Sequence, residues 1–339
     1  MSSQDNKLTI FVSIAAFEDP GLKNTMQNLL DSSDNPENIS FGLGLNYKDE
    51  PSFDEFTNKI KIVRDRDFDR PGIVKMRSNI RELIEDERYF LSIDAHTSFA
   101  KSWDTKLIND FEELRSINKK IIISGQISGM SVNDENIVTE WDLGGEWGRF
   151  GIMGHQTTVD DKIMFVSCRM VNSKYFLNYY ISCNFMFLLC DDLSEIRLPG
   201  YHAFPHEEPE QSITSFCNGF DVVAPSRHAS YIFLDYDTKY DFPYDEQWWE
   251  FVGTDKENPK HYQRRWVLDS DEVRLEVEKL MITGKNKYYS LEGSERTVEM
   301  FYKTIGAGRK YFQILCEAYE QDFKLNQVSK DSVSFSDVV

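Results

Sequence analysis

Apolar and polar positions follow two alternating rhythms along the first part of the chain. LTIFVSIAAF (8–17) is continuously apolar and rich in β-branched and aromatic residues, which predicts a buried strand. Asp19-Pro20 follows, and Leu22, Met26, Leu29 and Leu30 recur at helical spacing. Asp19 reads as the helix N-cap, with proline in the first turn. ISFGLGLNY (39–47) and KIKIVRD (59–65) predict a second and a third strand. Residues 73–87 predict a helix with Ile73, Met76, Ile80 and Ile84 on one face. YFLSIDAH (89–96) predicts a fourth strand, Trp103–Leu114 a helix, and KKIIISGQ (119–126) a fifth strand. Strands alternating with helices predict an α/β fold with a parallel or mostly parallel sheet.

That rhythm is lost between 126 and 170, where WDLGGEWGRFGIMGH (141–155) is rich in glycine. Long irregular segments in compact proteins are often functional loops. It returns with predicted strands at 181–190 and 220–224 and a helix at 207–218. Further helices are predicted at 270–282 and 292–304. One catalytic domain is expected over 7–310, with variable acceptor-side loops at 129–172 and a C-terminal helical extension at 260–310. Residues 1–6 and 325–339 are polar and expected to be disordered.

Composition narrows the classes. A net charge of −19 gives long-range repulsion from nucleic-acid phosphates, so a DNA role needs a local basic cleft around Lys59, Lys61, Arg64, Arg66 and Arg70. Five scattered cysteines with no CxxC pair predict reduced core thiols and a cytoplasmic location. The apolar stretch 175–190 is broken by Asn178, Ser182 and Asn184, so neither a membrane span nor a signal peptide is expected. No GxGxxG follows the first strand, which argues against a dinucleotide enzyme.

The candidate chemistry sits at the end of the fourth strand. On a strand, positions i and i+2 face the same side, so Asp94 and His96 are expected to converge at the C-terminal edge of the sheet. A carboxylate and an imidazole suit Mn²⁺ or a similar divalent ion. A surface aspartate beside a hydrogen-bonded histidine satisfies the same pattern, and the bare motif does not choose.

The surroundings add a resemblance. RPGIVKMRSNIRELIEDERYFLSIDAHTSFAKSWD (70–104) resembles a region shared by the polypeptide N-acetylgalactosaminyltransferases and by the cytoplasmic enzymes that add GlcNAc to hydroxyproline on an adaptor of ubiquitin ligases. IFVSIAAFEDPGLKNTMQNLL (10–30) and YSLEGSERTVEMFYKTIG (289–306) are similar to the opening and closing segments of the hydroxyproline-directed group. HEEPEQSITSFCNGFDVVAP (206–225) is similar to the helix and Gly-aromatic-Asp segment of both, in one register from Glu207 through Glu210, Gly219 and Asp221 to Pro225. His206, Pro209 and Thr214 depart from that pattern.

The resemblance implies a GT-A nucleotide-sugar-binding fold and a metal-dependent, retaining transfer from a UDP-sugar to a hydroxyl acceptor. Asp94 and His96 would be ligands of a divalent metal, Mn²⁺ or Mg²⁺, with Asp94 also facing the donor. Arg77 would face the diphosphate, with Gly72 allowing close approach. Ser13 and Ala15 would lie near the uridine, with Glu18 or Asp19 bordering that pocket. Glu207 and Glu210 would orient donor and acceptor hydroxyls. His228 is expected as a third metal ligand, with Tyr231 beside the donor. Trp103 and Asp104 are expected to be structural. His155, Trp248 and Trp249 suit either acceptor contacts or packing. The acceptor is expected to be a protein, with hydroxyproline as the candidate. A hydroxymethylated DNA base or a glycan, or a non-catalytic nucleotide-sugar module, stays open.

Overall fold

The computed structural model describes residues 8–17, 19–65, 72–125, 128–132, 138–141, 175–178, 181–198, 200–201, 206–225, 232–235, 250–252, 263–265 and 271–304. In chain order the elements are β1 (Ile10–Phe17), α1 (Leu22–Asp31), β2 (Ile39–Asn46), β3 (Ile60–Arg64), α2 (Ile73–Arg81), β4 (Tyr89–Asp94), β5 (Thr97–Phe99), α3 (Trp103–Ile117), β6 (Ile121–Ser124), β7 (Ser128–Val132), β8 (Val138–Trp141), β9 (Tyr175–Asn178), β10 (Phe185–Leu189), α4 (Glu207–Cys217), β11 (Asp221–Pro225), β12 (Ile232–Asp235), β13 (Glu250–Val252), β14 (Gln263–Arg265), α5 (Asp271–Thr283) and α6 (Val298–Thr304).

An eight-stranded sheet in the order β3-β2-β1-β4-β10-β6-β11-β9 forms the centre. β3, β2, β1 and β4 run parallel. β10 enters antiparallel between β4 and β6, and β9 lies antiparallel on β11. Six strands therefore point one way and two the other, so the sheet is mixed but mostly parallel. The parallel strands are apolar on both faces because helices cover both. Phe11, Phe41, Phe90 and Phe187 are fully or almost fully buried in this core. A second sheet, β5-β12-β7-β8, begins where the chain leaves β4. β7 and β8 fall in or beside the stretch expected to be loops, where short polar strands left no apolar signal.

Local details correct the sequence reading. The helix expected over 73–87 ends at Arg81, and the one expected over 292–304 begins only at Val298. α1 is capped at Gly21, not Asp19; the Asp19 carboxylate instead accepts the Gly21 N–H at 2.8 Å. β4 ends at Asp94, so His96 lies beyond the strand, in the bend leading to β5.

Two features place the site. Gly42 and Gly44 share one face of β2, where a Cβ would lie 2.2 Å from Phe11 Cζ and from Met76 Cγ respectively. α2 thus rests directly on the sheet backbone, which brings Arg77 inside the molecule. All of α4 but Glu208 is buried although its sequence, EEPEQSITSFC, is mostly polar. Several of its polar groups are bonded within the protein instead of solvated. Glu208 accepts the Cys183 N–H, Ser212 Oγ accepts the Ile181 N–H, and the Ser212 and Thr214 hydroxyls donate back to the carbonyls four residues earlier. α5 and α6 pack over α4, with Phe216 and Phe301 edge to face at 5.2 Å between centroids.

Candidate active site

The C-terminal edge of the parallel strands carries the expected residues. Register pairs Ala15 of β1 with Asp94 of β4 on one side and with Gly44 of β2 on the other. Ala15 is half-buried at this edge, whereas Ser13, one pleat earlier, is buried within the sheet. Asp94 is the last residue of β4, with its side chain 22% exposed.

Arg77 is buried and points from α2 at this edge. Its Nη2 donates to Asp94 Oδ1 at 3.0 Å, and Nη1 lies 3.6 Å from Glu207 Oε1. Burial opposes its charge, but the Cys183 sulfur together with the Asp94, Glu207 and Glu208 carboxylates outweighs burial and holds the guanidinium charged. It is thus a fixed cation and not a solvated helix arginine. Asp94 Oδ2 has no bonding partner among the described residues. Arg81, one turn on, is stripped of water too, and burial pulls it down to about 10. It donates to the Ile196 carbonyl and to Gln211, tying α2 to α4.

His96 is held from another direction. Its Nδ1 lies 2.9 Å from Asp19 Oδ2, and the ring is 23% exposed. The bend carrying it is clamped by Thr25 of α1, whose hydroxyl donates to the Ala95 carbonyl at 2.7 Å and accepts the Thr97 N–H at 2.9 Å. Neither link was legible as a site feature. Thr25 shows only as a polar residue among helical apolar positions, and Asp19 as a cap or as a residue bordering the uridine pocket, not as a partner of His96.

The two family acids separate. Glu207 joins Arg77 and Asp94. Glu210, also fully buried, accepts Arg197 Nε at 2.6 Å and the Tyr201 hydroxyl at 2.8 Å. Tyr201 stacks on Tyr288 at 4.2 Å, and the Arg197 guanidinium lies over Tyr289 at 4.4 Å. Glu210 therefore ties α4 to two loops. Gly72 starts α2 with φ −100°, open to any residue, and a Cβ there would meet Lys75 Cβ at an ordinary 3.4 Å. Nothing among the described residues demands glycine at 72. Trp103 Nε1 donates to the Leu29 carbonyl, and Asp104 accepts from Ser33, Asp34 and Asn35. Glu18, His155, His228, Tyr231, Trp248 and Trp249 lie outside the described residues.

The donor set suits a hard or borderline divalent ion. It offers a carboxylate oxygen and an imidazole whose second nitrogen is bonded to a carboxylate, the usual outer support of a metal-bound histidine. Among the described residues no three His, Cys, Asp or Glu are grouped to hold an ion. The basic residues in and just before β3 are neutralised: Lys59 pairs with Glu85, Lys61 with Glu87 at 3.0 Å, and Arg64 with Glu50 at 2.5 Å. Arg66 and Arg70 lie outside the described residues. The buried thiols Cys183 and Cys217 are unbridged, and burial pushes Cys217 up to about 12. No helix among the described residues is long and apolar enough to cross a membrane.

The family model Glycosyltransferase (GlcNAc) matches residues 59–310. The chain belongs to this glycosyltransferase family. No curated protein sequence matches the glycosyltransferase. Solved structures of similar fold include GalNAc-T7 with UDP, GalNAc and Mn²⁺, at 12% identity and TM-score 0.53, covering 94% of this chain and 58% of that one. S. aureus TarS 1–349 is similar at 10% identity and TM-score 0.52, covering 94% of this chain and 75% of that one. The glycosyltransferase thus has the GT-A fold, and it spans little more than half the length of GalNAc-T7.

Proposed function

We propose that this glycosyltransferase transfers GlcNAc or a closely related sugar from a UDP-sugar to a protein hydroxyl, with hydroxyproline as the candidate acceptor and retention at the anomeric carbon. The observation that carries it is the edge cluster of Arg77, Asp94 and Glu207 beside the Asp19-bound His96. A fixed cation, a partly exposed carboxylate and an oriented imidazole stand where α/β sheets bind ligands. A divalent metal held by Asp94 and His96, with His228 as a third ligand, would neutralise charge building on the leaving diphosphate. Arg77 adds a permanent charge to the same diphosphate, in a buried setting where it is worth more than in water.

Ala15 and Gly72 border the nucleotide in this reading, with Ser13 beneath Ala15. Glu207 orients a hydroxyl of the donor sugar or the acceptor. Glu210 acts one step removed, by holding α4. The neutralised lysines in and just before β3 weigh against a nucleic-acid acceptor, and unbridged buried thiols support a cytoplasmic setting. A screen of UDP-sugars for donor hydrolysis, with Mn²⁺, with Mg²⁺ and with chelator, tests the proposal without an acceptor. Metal-dependent release of UDP from UDP-GlcNAc is expected; no turnover of any UDP-sugar would sink it.

A further inference from the structure

Asp19 has two carboxylate oxygens and two different tasks. Oδ1 accepts the Gly21 N–H at 2.8 Å, which shapes the turn between β1 and α1. Oδ2 meets His96 Nδ1 at 2.9 Å. The side chain is 8% exposed, and Tyr47 fixes the residue further by donating its hydroxyl to the Asp19 carbonyl at 2.7 Å. The Gly21 turn lies against the histidine bend: a Cβ at 21 would sit 3.1 Å from the Ala95 carbonyl oxygen and 3.4 Å from His96 Cβ. With Thr25 clamping both sides of the bend, the imidazole is located by backbone and oriented by Asp19.

We infer that Asp19 is a positioning residue that sets the tautomer of His96. A carboxylate accepts and does not donate, so the Nδ1 facing it carries the proton and Nε2 carries the lone pair. The inference rests on the proposed reading, in which His96 Nε2 is a metal donor, but the tautomer is measurable without metal. Asp19→Asn makes a sharp test. The Gly21 N–H can only donate, so it keeps the single amide oxygen. The amide nitrogen then faces His96 Nδ1 and donates to it. The near-isosteric change thus moves the ring proton to Nε2.

The experiment is a long-range ¹H–¹⁵N spectrum of the full, metal-free chain with ¹⁵N-labelled histidine, at about pH 8.5, above the ordinary imidazole range. The His96 signals are identified by their loss in His96→Gln. The wild-type ring is expected in the Nδ1–H form and Asp19→Asn in the Nε2–H form. Mn²⁺ affinity in the presence of UDP is expected to fall about tenfold or more in the variant, the usual effect of losing an outer-shell partner. An Nε2–H ring in the wild type, or an Nδ1–H ring retained in a folded Asp19→Asn, overturns the inference. The wild-type spectrum alone decides should the variant not fold. The expected tautomers without Mn²⁺ uptake by the wild type would support the Asp19 role and sink the metal reading.

Discussion

Arg77 Nη2 stands 3.0 Å from Asp94 Oδ1 while its Nη1 stands 3.6 Å from the fully buried Glu207. One guanidinium thus joins α2, the end of β4 and the start of α4. Arg77→Ala should therefore weaken folding as well as ligand binding. Removing one partner from a buried ion pair typically costs about 3–5 kcal/mol. A lower urea midpoint together with lost UDP affinity is expected. An unchanged midpoint would show Arg77 facing solvent or ligand only.

Asp94→Asn and His96→Ala are expected to act on turnover. Both side chains are partly exposed, beyond the core packing. Loss of a metal ligand should lower the rate roughly a hundredfold or more. Initial rates of UDP release, measured beside melting curves, check this. Full activity of either variant in chelator would rule out the metal role.

Glu207 and Glu210 should separate in kind. Glu210→Gln removes the charge that Arg197 Nε meets in a buried network and should lower stability by about 1.5–3 kcal/mol. Its turnover per folded molecule should stay within about twofold. Glu207→Gln should cut kcat by roughly tenfold or more. The reverse pattern would exchange their roles.

Acid stability should depend on Glu87. Burial alone would raise its carboxyl. The Glu85 N–H, the Ser40 hydroxyl at 2.7 Å and Lys61 at 3.0 Å outweigh burial and hold it down to about 2. A folded-state value below the unfolded one means the stabilisation is complete above about pH 4.5 and fades as pH falls towards about 2. Glu87→Gln should flatten the unfolding free energy across that window by a few kcal/mol. A denaturant series from pH 5 to 2 (a span of about three units) measures it; identical slopes would refute the assignment.

Gly219 follows α4 with φ +92°, and its N–H donates to the Phe216 carbonyl at 3.0 Å. A Cβ there would lie 2.3 Å from Glu295 Oε2. Gly219→Ala should cost about 1–2 kcal/mol from the left-handed backbone alone. The loss should appear as a lower melting temperature with the KM for donor unchanged.

The resemblance blocks carried two kinds of information. Asp94 and His96 marked the edge of the sheet. Gly219, Asp221 and Arg296 instead build a joint: Arg296 pairs with Asp221 at 2.8 Å and its N–H donates to the Cys217 carbonyl. A shared register reports that residues matter together, not whether they touch a ligand or one another.

The sequence alone determined β1 to β4, β6, α1, α3 and the start of α2, because an apolar run or stripe records which face is dry; it did not show β5 or where α2 ends. It also placed Asp94 near the end of a strand, since the change from apolar to polar marks roughly where the sheet stops, but it carried that strand on to His96, two residues too far. Only the tertiary structure decided that β10 reverses direction between β4 and β6, since pairing partners far apart in sequence leave no local period. The same holds for α4, whose polar sequence gives no sign that all of it but Glu208 is buried. The Asp19–His96 contact was hidden for a related reason: it joins residues 77 positions apart, through a turn and a bend that no periodicity describes.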